Sequence, residues 1–170
     1  MDQVEHSAFA ARSLGPVVFV VWRGAMTADA VEAVGALLHR TAARSPSGIA
    51  FITTAGFRAP IPSAEARARI VEIYGELGSR LVAVAQVVEG DGFWASAALC
   101  FIAGIGLLHR HAHANKVFGN IGDATDWIAS LEIPDAPTSS VLHGRVAALG
   151  HALALGTVAS PVGDETPSPG

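Results

Sequence analysis

A chain of 170 residues, 51% apolar and 15% charged, is too apolar to remain unfolded and has the length of one domain with an appended tail. Its 11 basic and 15 acidic side chains leave a net charge of −4 with the histidines neutral, and no basic stripe is present, which excludes nucleic acid as a main partner. One cysteine, Cys100, excludes a disulfide framework and a thiolate zinc site.

The opening MDQVEHSAFAARS lacks the cationic and apolar succession of a secretory signal, so a cytoplasmic location is expected. Within it, VEHSAFAARS suggests a first strand in a hairpin with the next element. VVFVVW (Val17 to Trp22), bounded by Gly15-Pro16 and Gly24, is a β-branched and aromatic run that suits a strand covered on both faces. TADAVEAVGALLHRTAARS then predicts a helix. Thr27 is its N-cap, Asp29 suits its dipole, and Val31, Val34, Leu37 and Leu38 form its inner face.

GIAFITTA (Gly48 to Ala55) predicts a second buried strand, and GFRAPIP a loop. SAEARARIVEIYGELGS is the clearest helix, with Ser63 as N-cap, Ala66, Ile70, Ile73 and Leu77 on one face, Gly78 as its stop, and Glu65 placed to pair with Arg69. RLVAVAQVVEG predicts a third strand, NKVFGN (Asn115 to Asn120) a fourth, and GDATDWIASL (Gly122 to Leu131) a closing helix. Beyond Ile133 the composition changes. IPDAPTSS is a linker, VLHGRVAALGHALAL a possible short helix interrupted by two glycines, and ASPVGDETPSPG a tail of disordered composition.

Between the third and fourth strands lies FWASAALCFIAGIGLLH, whose sixteen residues from Phe93 to Leu108 carry no charge. A membrane-spanning helix needs roughly 20 apolar residues, so this stretch falls short, and its place between two strands calls for a crossover helix. A helix apolar all round needs cover beyond the sheet. The C-terminal segment, a protein interface (a second copy or another partner) and an apolar ligand remain the alternatives.

The order strand–helix, repeated four times, argues for an α/β sheet with mostly parallel connections. Over Val17 to Leu131, the segments VVFVVWRGAMTADAVEAV, GIAFITTAGFRAPIPSAEARARI, VAVAQVVEGDGFWASAA and KVFGNIGDATDWI together resemble a STAS-like domain, in particular its divergent bacterial SpoIIAA-like members. The resemblance implies a four- or five-stranded mixed sheet over residues 1–132, followed by a C-terminal extension: linker and short helix over 133–155 and a tail over 156–170. In the anti-sigma-factor antagonists of that family, a serine opening the helix after the second of these strands is phosphorylated by a partner kinase. Ser63 takes that place here, with IPSAEA where the antagonists carry Asp-Ser-Ser-Gly.

Several residues invite a chemical role. Ser63 is first an N-cap and, by the resemblance, a phosphorylation or docking position, with Arg58 and Thr54 nearby in sequence. His109, His111 and His113 would share a face if extended, but no carboxylate lies near them, and no metal is expected there. Cys100, among apolar residues, suits a buried inert thiol, and Glu89 and Asp91 suit a turn. No phosphate loop, nucleophile elbow or other catalytic pattern is present, so no cofactor and no enzymatic activity are expected. The expected function is a cytoplasmic protein-interaction or regulatory module, docking a kinase or switch regulator or pairing with its own copy. The alternative is a carrier of an apolar molecule or lipid along Phe93, Trp94, Phe101 and Ile105.

Overall fold

The computed structural model describes residues 2–55, 62–88 and 113–156. They form an α/β fold with one six-stranded mixed sheet. In chain order the elements are β1 (Gln3–His6), β2 (Phe9–Leu14), β3 (Val17–Trp22), α1 (Ala28–Arg44), β4 (Ile49–Ala55), α2 (Ala64–Leu77), β5 (Leu81–Val88), β6 (Ala114–Phe118), α3 (Ile121–Ser130) and α4 (Ser139–Gly156). The strands lie side by side in sequence order. β1, β2 and β3 pair antiparallel, and β3 to β6 pair parallel.

Strand β3 forms where the β-branched run predicts it, and it is buried on both faces. Alternation along each strand sends one set of side chains to each side. On one side Phe9, Val18, Val20, Phe51 and Val84 pack against α1 and α2. On the other, Ala10, Val17, Phe19, Ile52 and Ala85 pack against α3 and α4. The β2–β3 hairpin turns at Gly15, whose φ of 57° suits glycine, and a Cβ there would lie 2.7 Å from the Asp135 carbonyl oxygen. Helices α1 and α2 approach closely because Gly35 has no side chain. An added Cβ would meet Ile73 Cδ1 at 2.5 Å.

The strand count exceeds the four or five expected, because VEHSAFAARS is two strands rather than one. The chain reverses at Ser7-Ala8, and His6 stands opposite Phe9. The turn lacks the Asn-Gly or Gly-X signature that marks such hairpins in sequence. At the other edge the predicted strand ends at Phe118, because Asn120 caps α3, accepting from the Asp123 amide at 2.9 Å.

Helix α4 runs unbroken through Gly144 and Gly150. Each helical glycine costs about 1 kcal/mol relative to alanine. Against that, Leu142, Val146 and Leu149, at spacings of four and three, are buried against the sheet and α3. Burying three such side chains contributes roughly 5 kcal/mol, at about 1.5–3 kcal/mol each, so docking outweighs propensity. No atom lies within 4 Å of a Cβ built on Gly144. Gly144→Ala is therefore expected to stabilise the fold by about 1 kcal/mol, measured as an increase in the urea midpoint at constant slope.

Candidate functional site

In open parallel sheets, ligands and partners meet the carboxyl ends of the strands. Here that rim is built by Trp22 at the end of β3, Thr53 and Thr54 near the end of β4, and Ser63 at the start of α2. The Trp22 indole N–H donates to Thr53 Oγ1 at 3.1 Å, tying β3 to β4 on the α1/α2 side. Thr54 follows Ile52 on the opposite side of the sheet. It is buried, and its hydroxyl donates to the Val20 carbonyl at 3.4 Å.

Ser63 is exposed and is the N-cap the sequence predicts. Its hydroxyl oxygen accepts from the Ala66 amide at 3.1 Å. Pro62, buried before it, accepts from the Arg67 guanidinium at 3.5 Å. The rim thus places Ser63 and Thr54 on opposite faces of the sheet, and of the two only Ser63 faces solvent. Arg58, Phe93, Trp94, Phe101 and Ile105 lie outside the described residues, as do Cys100, Glu89, Asp91, His109 and His111. His113 is described and meets Tyr74 edge-on, with ring centroids 5.5 Å apart. Burial pushes the Tyr74 hydroxyl well above its usual titration range.

Among the described residues, the densest charge cluster lies on the outer surface of α1 and α2. Arg69 donates to Glu32 on α1 at 2.5 Å, and to Glu76 at 2.8 Å and Glu72 at 3.0 Å on its own helix. Glu76 also meets His39 of α1 at 2.9 Å. The expected Glu65–Arg69 pair does not form, because three other carboxylates already occupy the guanidinium. Glu72 and Glu76, three and seven residues beyond Arg69, were visible on its helix face. Glu32 comes from a helix 37 residues earlier, and only packing brings it there. Hydrogen bonding from Arg69 holds the Glu32 and Glu76 carboxyls below their ordinary range, and the same bonds raise the Arg69 guanidinium. Among the described residues, no group of three or more His, Cys, Asp or Glu could hold a metal ion. No described helix is long and apolar enough to cross a membrane.

Compared with known proteins, the chain matches no family model and no curated protein.

Because the folded carboxyls of Glu32 and Glu76 titrate below their ordinary value of 4.5, the stability they contribute is complete above that pH and is lost as pH falls through their folded values. Arg69→Gln should therefore lower the urea midpoint at pH 7, and the gap from the parent should be smaller at pH 3. An equal gap at both pH values would show that Arg69 acts by packing alone.

Proposed function

We propose that the chain is a non-enzymatic, STAS-like interaction or regulatory module of the cytoplasm that docks a protein partner, of the kinase or switch-regulator kind, at the start of α2. The observation that carries this reading is the position of Ser63, exposed at the N-terminus of a 14-residue helix with its hydroxyl free of any buried role beyond the cap. A dianionic phosphate is electrostatically favoured at a helix N-terminus, so modification there would rewrite the local surface and leave the fold intact. The closely packed layers on both sides of the sheet suit a scaffold that presents a surface.

Two substitutions separate the cap from the docking role. Ser63→Ala removes the cap oxygen and should cost about 1 kcal/mol in denaturant unfolding. Ser63→Asp keeps a good cap and adds charge, so the variant should remain as stable as the parent. The deciding experiment is recovery of the full-length protein from its own cells, with bound proteins and lipids identified by mass spectrometry. A stoichiometric protein partner, a second copy of the chain included, that is lost on Ser63→Asp is the expected result. Bound lipid without a protein partner would overturn it in favour of the carrier reading, with Phe93, Trp94, Phe101 and Ile105 as the site.

A further inference from the structure

The β1–β2 hairpin is held together in an unusual way. Two-residue hairpin loops favour turns with positive φ at one or both central residues, because those match the twist of the strands. Among the described residues outside glycine, positive φ occurs only at Glu132 and Asp135, so neither Ser7 nor Ala8 adopts it. The turn conformation therefore depends on groups outside its own backbone.

Three such groups converge on it. The His6 imidazole Nδ1 lies 3.1 Å from the Ala8 amide nitrogen. The Arg23 guanidinium donates to the carbonyls of His6 at 2.7 Å and Ser7 at 2.9 Å. The Arg23 and Gly24 amides both donate to the Ala8 carbonyl, at 2.9 and 3.0 Å. A backbone amide only donates, so Nδ1 must accept, and the ring must be neutral with its proton on Nε2. The arrangement mimics an Asx turn, in which a side-chain acceptor binds the amide two residues on. The ring stacks on Phe9, with centroids 5.1 Å apart and planes 15° from parallel.

At its other end β1 is pinned independently. The Ser13 amide donates to the Asp2 carbonyl at 2.9 Å, the Asp2 amide to Ser13 Oγ at 3.1 Å, and Arg44 pairs with Asp2 at 2.7 Å. Between the two ends, β1 contributes only Val4 to the core, partly buried.

We propose that His6 is a proton-gated latch on the edge strand β1: the neutral ring closes the turn on the Ala8 amide, and the protonated ring, which presents an N–H at Nδ1, releases the strand from its Ser7 end. Of the charged groups on the surrounding elements, Arg23 bonds the backbone carbonyl of His6 itself. Glu5, next in β1, lies on the other face and is held by Gln3 and Arg12. On α1, Arg44 is committed to Asp2 and Glu32 to Arg69, His39 meets Glu76, and Asp29 stands in the first turn. Arg40 completes the charged residues of that helix.

The test is amide hydrogen exchange by NMR on the full-length protein across mildly acidic pH, with protonation of the His6 ring followed in the same samples by its own ring-proton shifts. After correction for intrinsic exchange, Ala8 should exchange roughly ten-fold faster as that ring protonates, the worth of one hydrogen bond, while the Ser13 amide and the β3–β4 ladder stay protected. His6→Asn supplies an acceptor for the Ala8 amide that does not titrate, and it should retain protection throughout the range. The latch is overturned if Ala8 protection in the parent is indifferent to the charge of His6, or if His6→Asn loses protection over the same pH range. The parent titration alone decides the question should the variant fail to fold.

Discussion

A sheet packed by helices on both faces has no solvent side, and this constraint shapes most of the chain. The inner strands must be apolar at every position, so β3 is a continuous hydrophobic run and β4 and β5 are close to one. Alanines at positions 10, 11, 50, 83 and 85 are fully buried, and they let helices lie close on both sides. The same economy brings α1 against α2 at Gly35, where Ile73 fills the space a side chain would take. Interiors packed this closely transmit any added volume as strain.

Polar chemistry is accordingly pushed to the borders. One border is the outer surface of α1 and α2, where Arg69 gathers three carboxylates. Another is the edge strand β1, held at one end by the Asp2–Arg44 pair and at the other by His6 and Arg23. The third is the rim at the carboxyl ends of β3 and β4, where Ser63 opens α2. The first two join elements distant in sequence through ionisable groups, so the layer contacts that protonation reaches are peripheral. The rim is different. Its Trp22–Thr53 and Thr54–Val20 bonds are neutral, and they fix the strand ends whatever the pH.

Features that depend on a few consecutive residues were legible in the sequence. Thr27 and Ser63 cap their helices as predicted, because an N-cap needs only its own side chain and the amides that follow it. The inner faces of α1 and α2 followed from apolar spacing, and the α/β class from the alternation of elements. For the candidate site, the exposed cap at Ser63 was legible, but the burial of Thr54 on the opposite face was not, since it depends on which side of the sheet α3 and α4 cover.

The amino-acid sequence by itself determined the class of fold, most of the strand and helix cores, and the caps of α1 and α2, all of which rest on local backbone geometry and on the period of apolar residues. Tertiary structure alone decided three things. The turn at Ser7-Ala8 is held by Arg23 and Gly24, which follow β3, as well as by His6, and its sequence lacks the usual Asn-Gly or Gly-X signal. Helix α4 continues through two glycines because burying Leu142, Val146 and Leu149 outweighs their cost. Arg69 bonds to Glu32 rather than Glu65 because the packing of α1 on α2 brings Glu32 within its reach. In each case the deciding partner lies far away in the chain, and its contribution appears only once the layers have assembled.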